Sequence, residues 1–444
     1  MWKNALTSSA ATIIATATLL LSYPLYIRLL GYSEFGIWLI LATVLTAAQI
    51  TNLGLGQAVM KLTAEEYHHE GEAGARSYVL SALAICLLIT GILTISLATG
   101  RAMIIRLFSL HGEGASWVAH FLPYVGLLTG GYIANDIVQG AISGGGRMDI
   151  SSGLQAGYRI ADFLISLVLI HLHMGKLSLL ISDLIATPAV LLIGVSIVFR
   201  HSFMCRDSIA LFTYKRVRAL VGLCAGLFGT STLVLLLGPL NKAILSRAVG
   251  VQAIPIYDLS YTGSMNVRAI IESGVRAWLP KVSALAAVGN NRRALSLGRI
   301  YRTVWVTSCA IGVPVFAAVY ATDAPLLRLL LQQRYTDGVT KTFNIMLLAA
   351  FLSLLVCPAY YSLIGTGRVI ECVVASLFLV VGDAASIALG CYMGVPISSV
   401  TVAVGVVVGT GCSGIWLALR WQRVLGRLEE NGDVSGRELA AISG

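Results

Sequence analysis

The chain has 444 residues, of which 57% are apolar and only 12% are charged. Soluble domains carry roughly 25% charged residues, so this composition excludes an ordinary soluble protein and indicates an integral membrane protein. The formal net charge of +10 fits an anionic membrane surface or an anionic substrate. Nucleic acid is not an expected partner, because the sequence has no lysine-rich tail, zinc-ligand spacing or aromatic RNA-binding motif.

Apolar runs of about 20 residues, each long enough to cross a bilayer, follow one another along the chain. The first run is expected to be a retained span, because it continues past Leu20 without a small-residue cleavage site. The sequence therefore predicts an all-α integral membrane protein with twelve transmembrane helices. They cover residues 5–30, 34–60, 77–99, 116–140, 152–172, 177–199, 218–246, 252–279, 299–321, 341–365, 369–392 and 396–420.

The distribution of lysine and arginine between the predicted loops indicates the orientation. Loops on the side of the N-terminus carry about twice as many of these residues as loops on the opposite side. Because basic loops are retained in the cytoplasm, both termini of this multi-pass protein are predicted to be cytoplasmic.

Short landmarks recur in the same order in the two halves, about 220 residues apart. Gly31 corresponds to Gly250, the segment KLTA corresponds to KVSA, and GGGR corresponds to GTGR. The recurrence predicts a duplication with six helices in each half. The predicted parts are a first lobe at 1–199, a cytoplasmic connector at 200–217, a second lobe at 218–420 and a polar cytoplasmic tail at 421–444.

Eight cysteines and seven histidines are scattered along the chain. No two cysteines form a Cys-x-x-Cys pair, and the histidines have no neighbouring ligands at metal-binding spacing. The cysteines are therefore expected to pack as small apolar side chains. We expect neither a metal site nor a cofactor.

A charged stripe interrupts the eighth predicted span. Arg268, Glu272 and Arg276 are four residues apart, so they share one face of a helix. Ionisable groups within membrane spans usually face a wet cavity, and guanidinium groups match phosphate in a bidentate manner. Together with Arg159, which has Asp162 one turn away, the stripe predicts a site for an anion of phosphate character. The alternative is structural: Glu272 pairs with Arg276, and Arg268 meets an acid on a neighbouring helix.

Several motifs resemble one family. They are PLYIRLLGYSEFGIWLI at 24–40, NLGLG at 52–56 followed by a Glu- and Gly-rich loop, MIIRLFSLHGEG before the fourth helix and PLLRLLLQQRYTD before the tenth. These segments resemble the polysaccharide repeat-unit flippases, also called Wzx-type or polysaccharide transporter proteins. Related multidrug extruders commonly place an acid in the first helix, where residues 5–30 have none, and peptidoglycan-precursor flippases usually carry two more helices. Both comparisons favour the polysaccharide branch.

The resemblance implies a MATE-like fold of two six-helix lobes around a central cavity. It also implies a substrate, an oligosaccharide on a polyprenyl diphosphate, that crosses the bacterial inner membrane for O-antigen, capsule or exopolysaccharide assembly, with the polymerase of that pathway as a further partner. In this interpretation Arg268, Arg276 and Arg159 bind the diphosphate. The remaining assignments are Glu272 as a counter-ion or ion-coupling group, Arg28 and Arg247 as an outer gate, and Lys61, Lys281 and Asp136 as contacts on the inner side.

Two other functions are weighed against this one. An exporter of organic cations has the same fold but needs a net acidic cavity, for which Asp136 or Asp258 are the candidates. A membrane polysaccharide polymerase or ligase needs a large outer loop or a catalytic cluster, and the sequence offers no convincing nucleophile, acid–base pair or metal constellation. We therefore expect a transporter that is not an enzyme.

Overall fold

The computed structural model describes residues 2–52, 54–69, 72–200, 233–276 and 293–442. Within those ranges the secondary structure is helical, with turns and no strands. The helices are α1 (Trp2–Ala48), α2 (Leu55–His69), α3 (Glu72–Thr99), α4 (Arg101–Leu107), α5 (Gly112–Gly144), α6 (Met148–His171), α7 (Leu177–Arg200), α8 (233–248), α9 (Ile254–Arg276), α10 (Arg293–Leu331), α11 (Asp337–Gly365), α12 (Val369–Tyr392) and α13 (Ser399–Ile442).

Helix α1 contains the first predicted span and most of the second, and it bends at Gly31. This residue has φ 82° and ψ 168°, a backbone conformation that interrupts the helix and that only glycine adopts readily. The second predicted span, 34–60, is not continuous. A 3-10 turn at Gln49–Asn52 and Gly54, with φ 75°, separate α1 from α2.

Three further helices differ from the prediction. The short helix α4 was not predicted, because seven residues are too few to show a membrane-span pattern. Helix α10 continues to Leu331, ten residues beyond the predicted end at 321. Helix α13 continues through the predicted polar tail to Ile442, because polarity ends an apolar run without ending a helix.

By length and composition, eight described segments are able to cross a membrane. The first, Ile14–Thr63, covers most of the first predicted span and all of the second, and the other seven each correspond to one predicted span. Of the remaining predictions, 116–140 falls on α5, and the described parts of 218–246 and 252–279 fall on α8 and on the segment that ends in α9; residues 218–232 and 277–279 lie outside the described residues. Lipid-facing character is clear on α3, where Leu87 is 74% exposed and Ile95 is 66% exposed.

The contacts of the described residues divide the chain into unit 1, Met1–Pro255, and unit 2, Ile256–Gly444. A core in unit 1 joins α2, α3 and α5 through side chains that include Val59, Ala82 and Ile137. A core in unit 2 joins α10, α11, α12 and α13, and Trp421 is buried in it. Helix α8 belongs to unit 1, whereas the predicted second lobe begins at 218. The predicted connector lies outside the described residues, and the lobe boundaries stay a prediction.

The duplication is visible in the backbone. Gly250 has φ 108° and ψ 171°, close to the conformation of its predicted counterpart Gly31. The same agreement holds for Gly146 and Gly367, with φ 80° and 78°, in the segments GGGR and GTGR. Helices α6 and α12, which follow these two glycines, each have 24 residues. Matching rare conformations at matching positions support the predicted repeat.

Candidate functional site

Unit 1 contains a polar cavity of about 420 Å³. Its walls come from α1, the turn after α1, α5, α6 and α7. Three carboxyl groups and one guanidinium group line it, together with amide and aromatic side chains. The ionisable residues of the lining are Asp136, Asp162, Asp183 and Arg159.

Asp183 is fixed at the deep end of the cavity. Its Oδ1 accepts hydrogen bonds from the hydroxyl groups of Tyr132, at 2.9 Å, and Tyr158, at 2.7 Å. The two hydroxyl oxygens lie 2.6 Å apart, and Asp183 is only 6% exposed. A carboxyl group buried this far needs such donors, since an unpartnered one is very costly in an apolar setting.

Asp162 lies next to this cluster, and its carboxyl group neighbours that of Asp183. Ser182 donates a hydrogen bond of 2.7 Å to Asp162 Oδ1. The predicted partner Arg159 is one turn away on α6, is exposed, and has its guanidinium carbon 5.7 Å from the ring centroid of Tyr158. The structure thus places Arg159 and Asp162 in the lining of one cavity, which is a requirement for two residues that bind one substrate.

Sequence reasoning did not assign Asp183, Tyr132 or Tyr158 to a site. Asp183 was recognisable as an acid inside a predicted span, which is a signal for function. The two tyrosines carried no such signal, because a tyrosine in an apolar run is usually an interfacial or packing residue. Their role appears only when α5, α6 and α7 are placed side by side.

The predicted inner-side contacts have separate environments. Asp136 lines the unit 1 cavity and accepts a hydrogen bond of 2.7 Å from the Asn52 side-chain amide. Lys61 is exposed on α2 and is not part of the cavity lining. Lys281 lies outside the described residues.

The charged stripe is part of a cluster in unit 2. Arg268 Nη2 lies 2.6 Å from Glu272 Oε2, one helical turn away on α9. From α11, Tyr361 donates a hydrogen bond of 2.6 Å to Glu272 Oε1, and Ser353 contacts Arg268 Nη1. Arg268 therefore pairs with Glu272 on its own helix, whereas the structural alternative paired Arg268 with an acid on a neighbouring helix. The other pairing of that alternative, Glu272 with Arg276, stays a prediction. Helix α9 is described as far as Arg276, whose side chain lies outside the described part of the chain.

Arg268 has hydrogen-bonding capacity beyond this cluster. Its side chain is 26% exposed, and its buried Nε–H has no hydrogen-bond partner among the described residues. The Glu272 carboxylate and the Ser353 hydroxyl fix the orientation of the guanidinium group without using all five of its N–H donors. Such an arrangement presents a positioned cation to an anionic group.

The two predicted gate residues differ in their contacts. Arg28 is exposed on α1. Arg247, at the end of α8, donates to the carbonyl oxygens of Leu107, at 2.7 Å, and Arg106, at 3.1 Å. Beside it, Ser246 donates to the carbonyl oxygen of Phe108. Arg247 thus caps the C-terminus of α4, and a gating role stays a prediction.

Solved structures with this fold are membrane transporters. An inward-facing multidrug resistance MATE family transporter of the MOP superfamily matches with a TM-score of 0.73 and 14% identity, over 95% of this chain and 99% of the transporter. The lipid II flippase MurJ, in an inward closed conformation, matches with a TM-score of 0.72 and 13% identity, over 97% of this chain and 91% of MurJ. These likenesses confirm the predicted MATE-like fold. The candidate membrane spans and this shared fold make the protein a multi-pass membrane protein.

The family follows from the sequence. The model of a family described as "Polysaccharide biosynthesis protein" matches residues 1–286, and this chain belongs to that family. The predicted resemblance is thereby confirmed at the level of the family. No curated protein sequence matches the chain. In the part of the chain that the structure describes, no group of three or more His, Cys, Asp or Glu side chains could hold a metal ion.

Proposed function

We propose that this protein is a flippase for an oligosaccharide linked to a polyprenyl diphosphate. It moves this lipid across the bacterial inner membrane by alternating access, for assembly of a cell-surface polysaccharide, with both termini in the cytoplasm. Membership of the polysaccharide biosynthesis family and the fold shared with a lipid II flippase support the substrate class. The observation that carries the proposal is the Arg268 cluster on α9.

Arg268 suits a diphosphate for chemical reasons. Its guanidinium group keeps its charge when partly desolvated, and its planar donors match phosphate oxygens in pairs. Glu272 neutralises part of that charge. A modest net attraction is what a flippase needs, because a site that binds the cargo much more tightly in one state would trap it there. Arg276, one turn beyond Glu272, is proposed as a second phosphate ligand.

The test is whole-cell export of the polysaccharide from cells that carry Arg268→Ala, Arg276→Ala or Glu272→Gln. Arg302→Ala, at an exposed position on α10, is the matched control. Membrane expression is measured for every variant. We expect Arg268→Ala and Arg276→Ala to lose surface polymer and to accumulate lipid-linked repeat units inside the cell, with the control unaffected. Normal export from well-expressed arginine variants would mean that the cluster is structural.

One observation favours export of an organic cation as a second candidate. The unit 1 cavity has three carboxyl groups and one guanidinium group, so its lining is acidic. Efflux of a cationic dye that depends on Asp136, Asp162 or Asp183 would support this function. Dye accumulation that is the same with and without the protein would eliminate it. A polymerase or ligase activity has no comparable observation in its favour.

A further inference from the structure

The unit 1 cavity has a charge that is wrong for a diphosphate. Asp136, Asp162 and Asp183 face a single cation, Arg159. The carboxyl groups of Asp162 and Asp183 neighbour each other, so acidic groups are concentrated in this lining. A diphosphate would be repelled from this lining, and the prediction that Arg159 binds it loses its support. The cavity must serve another part of the substrate or another ligand.

Neutral hydrogen-bonding groups are the distinctive part of the lining. The side-chain amides of Gln49, Gln139 and Gln155 line the cavity from three different elements. Gln49 and Gln155 are exposed. An amide offers both donors and acceptors, which is the pattern that vicinal hydroxyl groups require. Gln139 is at most weakly engaged by Ser151, at 3.5 Å.

An aromatic cluster forms the wall on the side of α1. The ring of Phe35 lies 5.5 Å from that of Tyr23 and 5.7 Å from that of Tyr26, measured between centroids, and Trp38 is adjacent in the lining. Phe35, Tyr26 and Trp38 are buried, so the ring that can meet the C–H face of a ligand is that of the partly exposed Tyr23, which Phe35 holds in place. A volume of about 420 Å³ is within the usual range of small-molecule pockets.

We propose that the unit 1 cavity is a sugar subsite of the flippase, in which amide groups bind sugar hydroxyls and the Tyr23 ring contacts the apolar face of a sugar ring. This inference rests on the proposed function, since it assigns the oligosaccharide to unit 1 and leaves the diphosphate to Arg268. The acidic groups fit the same role: carboxylates accept hydrogen bonds from hydroxyl groups, and Asp162 lies only partly buried at the cavity surface.

The experiment compares the binding of two lipids to the purified full-length protein. One probe is the lipid-linked repeat unit extracted from cells that lack this flippase, and the other is undecaprenyl diphosphate without sugar. The variants are Gln49→Ala, Gln155→Ala and the double variant. Gln57→Ala, an exposed amide on α2 outside the cavity lining, is the matched control.

The double variant is expected to bind the glycosylated lipid about tenfold more weakly or worse, since two hydrogen-bonding side chains are lost. It is expected to bind the sugar-free lipid like wild type, which also shows that it is folded. Equal binding of the glycosylated lipid by wild type and the double variant would overturn the sugar subsite. An equal loss for both lipids would overturn it as well. If wild type binds neither lipid, the proposed function itself fails.

Discussion

Glu272 is a buried carboxylate that accepts hydrogen bonds from Arg268 and Tyr361. It is 7% exposed, and each of its oxygens has a partner, Arg268 on one side and Tyr361 on the other. The helical spacing predicted that Glu272 lies within reach of both neighbouring arginines. It could not predict Tyr361, which is 89 residues away in sequence and approaches from another helix. Only local partners are readable from a periodic pattern.

The Tyr361→Phe variant tests this cluster at the level of one hydroxyl group. Removing that donor leaves Glu272 Oε1 short of a hydrogen bond in a buried position, which typically costs about 1 to 3 kcal/mol. We expect a lower thermal unfolding temperature in detergent. Tyr320→Phe, at a position that is 61% exposed, is the control and should unfold like wild type. Equal unfolding temperatures for the two variants would show that Tyr361 does not stabilise the carboxylate.

The close approach of α2 and α5 depends on glycine. A methyl group at position 140 would collide with the carbonyl oxygen of Gly56, and one at position 56 would lie 2.7 Å from the carbonyl oxygen of Asp136. Both obstacles are backbone atoms, so a side-chain rotation cannot relieve them. Small residues at such crossings are the usual means by which membrane helices pack tightly.

Gly140→Ala is therefore expected to separate α2 from α5 and to lower the yield of folded protein sharply, as judged by size-exclusion chromatography in detergent. Gly157→Ala is the matched control. It lies within α6, where an added methyl group meets nothing within 4 Å among the described residues. Because alanine is about 1 kcal/mol better than glycine in a helix, this control should be neutral or slightly stabilising. Well-folded Gly140→Ala protein would contradict the close packing.

Helix α4 has only seven residues, and the carbonyl groups at its C-terminus accept hydrogen bonds from Arg247, a residue at the end of α8. Such a short helix is marginal alone, and Arg247 supplies donors for two of its last carbonyl groups. We expect Arg247→Ala to speed amide hydrogen exchange in α4, with a loss of about 1 kcal/mol because Arg247 is exposed to solvent. Arg28→Ala, the repeat-related exposed arginine, should leave exchange in α4 unchanged. Unaltered exchange in Arg247→Ala would remove the capping role.

At the scale of the whole chain, the sequence predicted the spans and the repeat but not every boundary. The glycines of the repeat were readable because φ between +20° and +160° favours glycine. Ser109, between α4 and α5, and Gln332, between α10 and α11, also have positive φ angles, of 49° and 47°. Residues other than glycine rarely adopt such angles, so the sequence did not signal these two turns. The sequence assigns α8 to the second lobe, a boundary that stays a prediction, and the contacts of the described residues group α8 with unit 1.

The contacts that group α8 with unit 1 are ones that no repeat encodes. Ser246 and Arg247 hydrogen-bond to the end of α4, and the backbone of Val251 packs directly against Gly36 in α1. These interactions connect distant segments of the chain, and an internal repeat reports only the similarity of one half to the other. The site shows the same limit, because Arg159, Asp162 and Asp136 were named from the sequence, whereas Asp183, its tyrosine donors and the amides were not.

The most direct measurement is flipping of the lipid-linked repeat unit in proteoliposomes, followed with a membrane-impermeant oxidant of sugar diols. Without flipping, only sugars in the outer leaflet react, whereas an active flippase brings those of the inner leaflet to the surface as well. We predict flipping by wild type and by Arg302→Ala, and a rate at least about tenfold lower for Arg268→Ala, with little rescue by Arg268→Lys because lysine lacks the planar donors. Absence of flipping by wild type, or an unchanged rate for Arg268→Ala, would contradict a diphosphate-binding flippase.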